Sequence, residues 1–211
     1  MSGAPRQFDV DTRAAIRGRL GVISPRRMAG ALPRAAVLVP LCHVDGVASV
    51  LFTKRTETVS THKGHVSFPG GRRDPTDRDV VATALRELDE EVGIGREQVE
   101  VLGVLHEVPA ITGVGVTPVI GFIGDVDVDR LVLSRAEIDV AFALSLSSLI
   151  DPAHRTAQRL GPRVAPVFSA GPFPVWGLTA YILDELLLEG LALPLPHLGS
   201  STDWDIAFEK D

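Results

Sequence analysis

The chain has 211 residues, 45% of them hydrophobic and 23% charged, and a formal net charge of −6 at pH 7. That balance fits one sizeable folded domain rather than a disordered chain, and it lacks the basic footprint needed to hold a nucleic-acid polymer. The one cysteine, Cys42, excludes an intrachain disulfide and suits a reducing, cytoplasmic setting, with a small buried core residue as its expected role. The start "MSGAPRQFDV" lacks the apolar core of a secretory signal. The most apolar late stretch, 176–198, is broken by Asp184, Glu185, Glu189 and prolines, so no membrane partner is expected.

In chain order, "DVDTRAAIRGRL" (9–20) predicts a short helix ending near Gly21, followed by a linker rich in breakers. "AAVLVPLC" (35–42) and "VASVLFTKR" (47–55) predict two apolar strands joined by a turn at Asp45-Gly46. A long irregular stretch, 56–79, carries glycines, and loops of that length usually carry function. A helix follows at about 78–92, with breaker and capping chemistry from Pro75, Thr76 and Asp77 and a left-handed end at Gly93. Further strands are expected at 98–108, 114–123, 138–145 and 163–169. A short helical turn is expected near 146–150, and a buried helix over 175–190. The tail from Leu191 is rich in proline and small residues, and its end is expected to be disordered. The implied division is 1–30 as N-terminal helix and linker, 31–190 as the main domain, and 191–211 as tail. The fold class is α/β (α+β), a mixed sheet between helices.

The 78–92 helix is the informative element. Val81, Leu85, Leu88 and Val92 form one apolar stripe, while Glu87, Glu90 and Glu91 share an arc of roughly 100° on another face. Like charges four residues apart repel by about 0.2–0.5 kcal/mol, and the end of a helix is already negative. A solvated face tolerates this, and Arg86 with Glu90 is an ordinary i, i+4 pair. A bound cation would reward it. Upstream, Pro69 precedes Gly70 and Gly71, whose freedom at positive φ lets backbone approach a ligand. Carboxylates with a backbone carbonyl form an oxygen-only donor set, which suits Mg²⁺ or Mn²⁺.

The stretch "GRRDPTDRDVVATALRELDEEVGI" resembles the Nudix box, G-x5-E-x7-R-E-U-x-E-E-x-G-U, where U is bulky and aliphatic. Arg86, Glu87, Leu88, Glu90, Glu91, Gly93 and Ile94 match its second half without exception. Counting from Gly71, the first glutamate is replaced by Asp77, and one extra residue separates it from Arg86, which puts a ligand role for Asp77 in doubt. The resemblance implies a Nudix-type α-β-α sandwich that hydrolyses the pyrophosphate of a nucleoside diphosphate linked to another group. It implies Glu87 and Glu91 as metal ligands, with Glu90 as ligand or base, the Gly71 carbonyl in support and Arg86 orienting a carboxylate. A base on a loop after the box is also found in the family, and Glu137 is the candidate here. A solvated acid before a strand is the plainer reading of Glu137.

"LFTKRTETVSTHKGHVSFPGG" (51–71) further resembles the signature of coenzyme A pyrophosphatases, through Leu51, Thr53, Arg55, Gly64, Phe68, Pro69, Gly70 and Gly71. Ser60 stands where that signature has arginine, and Lys63 is the candidate to supply the charge. The resemblance spans about residues 35–190. It implies coenzyme A, and acyl-CoA, as small-molecule substrate, with Arg55, Lys63, Gly64, Phe68 and Gly70 in substrate binding. Phe68 alternatively anchors its loop in the core, His62 and His65 read as surface residues, and Trp176 reads as core. The competing expectations are a Nudix hydrolase acting on ADP-ribose or another nucleoside diphosphate derivative, and a non-catalytic nucleotide-sensing module. The sequence is compatible with a homodimer and does not set the oligomeric state.

Overall fold

The computed structural model describes residues 3–30, 33–56, 64–160, 163–193 and 195. Helix α1 (Val10–Val22) is followed by strands β1 (Arg34–Val44), β2 (Val47–Arg55), β3 (Val66–Ser67) and β4 (Gly70–Arg72). Helix α2 (Val80–Val92) then leads to β5 (Glu100–Val104), β6 (Val108–Pro109), β7 (Gly115–Asp125) and β8 (Ile138–Ser145). After α3 (Leu146–Ile150) come a hairpin of β9 (Arg155–Leu160) and β10 (Arg163–Phe168), then α4 (Gly177–Glu185), which runs into a π-helical turn at Leu186–Gly190. Strands β1 to β8 build one mixed sheet: β1 and β7 are parallel, and the other pairs are antiparallel.

The sheet is covered on both faces, which explains why its strands read as continuous apolar runs instead of alternating ones. In β1 the period of two is still visible in what each side chain meets. Ala35, Val39 and Leu41 face one core with Ile16 and Leu20 of α1 and Ile182 and Leu183 of α4. Ala36, Leu38 and Cys42 face the other, with Ala84, Leu88 and Val92 of α2. The result is the expected α-β-α sandwich. Cys42 is buried, and burial pushes its thiol up to about 12. The N-terminal segment belongs to the same core: Phe8 is buried there, and Arg13 and Arg17 both pair with Glu100 of β5. So do Leu191, Leu193 and Leu195 from the start of the tail; the rest of that tail lies outside the described residues.

Most of the expected elements are present, and the differences have physical reasons. The β1–β2 turn uses Asp45 and Gly46, both at positive φ, as a tight hairpin requires. The N-cap of α2 is Asp79, which accepts from the Ala82 N–H at 2.8 Å, because Asp77 is engaged elsewhere. Gly93 takes the left-handed C-cap at φ 72°. The 98–108 strand is interrupted between β5 and β6, where Glu107 turns inward to Arg34 and the Met28 N–H. Strand β9, "RTAQRL", has no apolar alternation because it pairs only with β10, away from the main sheet. The 175–190 helix starts at Gly177 and changes pitch at Leu186; Trp176, expected in the core, is its N-cap residue and is exposed. No helix among the described residues is long and apolar enough to cross a membrane.

Two strands that separate position the glycine segment. β1 and β2 pair only from Leu41–Val50 to Val44–Val47. Beyond that they diverge, and residues 66–72 fill the wedge: β3 pairs with Thr53 and Lys54 of β2, and β4 pairs with Ala35 to Val37 of β1. The Leu38 N–H donates to the Pro69 carbonyl at 2.8 Å between the two. Phe68, at the bend, is 3% exposed and stacks on Phe52, whose ring also stacks on Phe142. Its whole ring is thus inside the protein, so Phe68 anchors the loop and offers no face to a substrate. Phe68→Ala is expected to cost about 3–5 kcal/mol of stability, the usual range for emptying a buried aromatic site. Urea unfolding checks this, and a loss below about 1 kcal/mol would place Phe68 outside the core.

Candidate active site

Three segments meet at one end of α2. These are the helix itself with Glu87, Glu90 and Glu91, the glycine segment under it, and the end of β2 with the loop before β8. The helix glutamates are not equivalent. Glu91 is 2% exposed, Glu87 is partly buried, and Glu90 lies at the surface. Burial therefore raises the pKa of Glu91 most, to about 8, opposed by Arg55 and reinforced by the charges of Glu87 and Glu137. Burial also raises that of Glu87, against the pull of Arg86.

Gly70 and Gly71 both make close approaches; neither has the positive φ the sequence led us to expect. A Cβ on Gly70 would lie 2.5 Å from the Ala36 carbonyl oxygen, inside β1. A Cβ on Gly71 would lie 2.4 Å from Glu87 Oε1. The backbone of Gly71 and the carboxylate of Glu87 are in contact because nothing stands between them.

Two guanidiniums manage the acids. Arg86 donates through Nε and Nη2 to both oxygens of Asp77, at 3.2 and 3.0 Å. Its Nη1 reaches Glu87 Oε1 and Glu90 Oε2, each at 2.8 Å, and Nη2 also reaches the Arg72 carbonyl. Asp77 is buried, and Arg86 holds its carboxyl down to about 2. The swapped acid of the box is thus the anchor of Arg86, a role the sequence did not disclose. Its signal was present, an acid kept near that position, but spacing alone does not tell which cation it serves.

Arg55 is the second guanidinium. Its Nη1 lies 3.2 Å from Glu91 Oε1, and its Nη2 lies 3.2 Å from Glu137 Oε2. Glu137 precedes β8 and is half exposed; the Thr56 N–H donates to its carbonyl at 2.8 Å and fixes the loop there. Sequence reasoning missed Thr56 in this role, because a backbone bond leaves no trace in residue type. The fold therefore brings together Glu87, Glu91, Glu137, Arg55, Arg86, Gly70 and Gly71, with Glu90 at the rim. Gly64 is at positive φ, two residues before β3. Lys63, Ser60 and His62 lie outside the described residues. His65 meets Trp176 edge to face, 4.8 Å between ring centres.

Whether such a site suits a divalent cation is decided by its donors. Glu91 Oε2 is buried and has no hydrogen-bond partner among the described residues. A carboxylate oxygen left in that state is costly unless a cation or a proton meets it. Among the described residues no three acids or imidazoles are grouped to hold an ion by themselves. Mg²⁺ does not need that: it binds through one or two carboxylates and takes its other oxygens from water and phosphate. Glu91 and Glu87 with the adjoining Gly71 backbone fit such an ion. The site can therefore gather positive charge against a phosphate and keep one half-exposed acid, Glu137, within reach of water.

Comparison with known proteins agrees with this geometry. Residues 32–163 match the family model of the NUDIX domain. The mouse mitochondrial coenzyme A diphosphatase NUDT8 is 43% identical over 164 residues, 75% of this chain and 78% of that protein. An uncharacterised Nudix hydrolase, NudL of Pectobacterium atrosepticum, is 42% identical over 74% of this chain and 82% of its own length. The crystal structure of a MutT/nudix family protein from Enterococcus faecalis matches with a TM-score of 0.51 at 16% identity, covering 75% of this chain and 63% of that one, a likeness of fold alone. With the glutamate helix, the glycine segment and the mixed sheet in these positions, the chain belongs to the Nudix hydrolase family.

Proposed function

We propose that this enzyme is a pyrophosphohydrolase of coenzyme A that releases 3′,5′-ADP and 4′-phosphopantetheine, with acyl-CoA thioesters as further substrates. The observation that carries the reading is where the coenzyme A signature falls. Its two described parts, β2 and residues 64–71, border the glutamates of α2, and its Arg55 touches Glu91 itself. The mouse relative, a coenzyme A diphosphatase by name, supports the same substrate. Nudix hydrolases as a family work with divalent cations. Mg²⁺ or Mn²⁺ is the ion that an all-oxygen site favours. The setting is a reducing compartment such as the cytoplasm, in keeping with the lone buried thiol of Cys42.

Glu91 and Glu87 would hold the ion, the Gly71 carbonyl would join them, and Glu90 would support them from the rim. When bound, the ion would supply positive charge against the phosphates and so favour attack by water. Arg86 touches no substrate; it keeps Glu87 and Glu90 in place. Glu137 accepts, at a carboxylate oxygen, the proton of the water that attacks phosphorus, since it is accessible and held at the site by its own backbone. Arg55 and Lys63 neutralise the pyrophosphate and the 3′-phosphate, a task suited to guanidinium and ammonium groups. Gly64 and Gly70 shape the loop that surrounds the substrate.

The direct test is incubation with coenzyme A and Mg²⁺ in ¹⁸O-labelled water, with products identified by mass spectrometry. Cleavage of ADP-ribose but not of coenzyme A would replace the substrate, and binding without turnover of either would favour a sensor. Glu91→Gln is expected to lose more than the roughly 10–100-fold that outer partners of a metal site contribute, with its circular dichroism spectrum unchanged. Full activity in that variant would remove Glu91 from the site. Glu137→Gln is expected to lower kcat by about 10²–10⁴, the usual contribution of a general base, and an unchanged kcat would assign the proton elsewhere.

Arg86 and Asp77 give a separate signature in stability. The folded carboxyl titrates at about 2, below its ordinary value of about 4, so the folded state binds fewer protons than the unfolded state between those values. The pair's stabilisation is therefore full above about pH 4 and is lost as pH falls through about 2. Asp77→Asn should be less stable than the parent at pH 7, with the gap closing toward pH 2 in denaturant titrations. A gap independent of pH would separate Asp77 from Arg86.

A further inference from the structure

Arg55, assigned above to the substrate phosphates, is already engaged by two protein carboxylates. Its side chain is 19% exposed and bridges two carboxylates, Glu91 and Glu137. The bridge is incomplete. Arg55 Nε is buried without a hydrogen-bond partner among the described residues, and so is Glu91 Oε2. Arg–carboxylate pairs are frequently bidentate, with two parallel bonds. Here each partner engages one buried atom of the other and leaves one unused. The pairing of β2 with β8 is irregular at this point: the register shifts between Lys54 and Arg55, and the extra residue on β8, Asp139, takes Lys54.

We infer that Arg55 is a resident counter-ion of Glu91 that competes with the divalent ion, and that ion binding turns its guanidinium over to the substrate pyrophosphate. Glu91 Oε2 is available to a cation while Oε1 faces Arg55. A guanidinium and a divalent ion on one carboxylate repel each other, and strongly so where water is scarce. The pair is weak enough to yield, since it rests on one contact on Glu91. Glu137 keeps the second contact, so the freed group stays at the site, beside the phosphates. Arg55 thus has two successive partners, Glu91 before the ion binds and the substrate pyrophosphate after it. Ion and substrate favour each other's binding because one releases what the other needs. The inference rests on the divalent-ion reading of the site and is independent of which diphosphate is cleaved.

The test is Mg²⁺ binding by calorimetry on the full chain without substrate, at pH 9 so that protons compete little for Glu91. Arg55→Met is expected to bind Mg²⁺ about tenfold more tightly than the parent, while Arg55→Lys stays near the parent value. Equal or weaker binding by Arg55→Met overturns the inference. No Mg²⁺ binding by the parent would instead remove the divalent-ion reading on which it rests. Should Arg55→Met fail to fold, ¹⁵N NMR of the parent gives the answer: the Arg55 Nε–H resonance, assigned by its loss in Arg55→Lys, is expected to shift as Mg²⁺ saturates. A resonance unmoved by saturating Mg²⁺ overturns the proposal.

Discussion

Three glutamates share the last turns of a helix whose own dipole is negative there, Asp77 and Glu137 add two more acids from flanking loops, and the site exists because two guanidiniums divide the five. Arg86 takes Asp77, Glu87 and Glu90. Arg55 takes Glu91 and Glu137. The division is unequal in a useful way. Arg86 is saturated, with both of its faces committed and a backbone carbonyl added. Arg55 holds the most buried acid by a single contact. Charge is thus fixed rigidly where only positioning is wanted, and loosely at the acid best placed to exchange partners.

That division needs backbone where side chains would otherwise be. The separation of β1 from β2 opens a wedge, and the segment in it must lie flat against β1 on one side and against Glu87 on the other. At Gly70 only glycine clears the backbone of β1, and at Gly71 a Cβ would push the Glu87 carboxylate aside. The stack of Phe68 on Phe52 and Phe142 fixes the bend from the opposite core. The hydrophobic layer under α4 and the polar site under α2 are joined through this one short segment.

Much of this was legible in the sequence because periodicity and turn chemistry are local. The Asp45-Gly46 hairpin, the bounds of β8 and the left-handed Gly93 follow from residue types within a few positions. So does the grouping of the three helix glutamates. What periodicity does not reveal is the partner. It gave Glu87, Glu90 and Glu91 one arc, whereas packing buries Glu91 and exposes Glu90. It left Phe68 between substrate and core, and ring stacking decides for the core. It made Trp176 core by its apolar neighbours, but the helix begins one residue later and leaves the ring outside. Strand β9 has no pattern to read, since its pairing depends only on β10.

Asp77 shows how a departure from a family pattern can keep its physics. Aspartate is one methylene shorter than the glutamate it replaces, and the chain has one residue more before Arg86. The added length is folded into a turn. The Asp77 N–H donates to the Asp74 carbonyl, the Asp74 N–H donates back to Asp77 Oδ2, and Thr76 caps Asp74 from both backbone and hydroxyl. That turn brings the shorter acid to Arg86 with both oxygens facing the guanidinium. With both oxygens so engaged, it has little to offer a metal ion. What the position supplies is a fixed negative charge within reach of one arginine. Chain length and side-chain length can trade against each other to provide it. The glutamates of α2 have no such freedom, because the helix fixes their spacing and the glycine segment fixes what lies opposite.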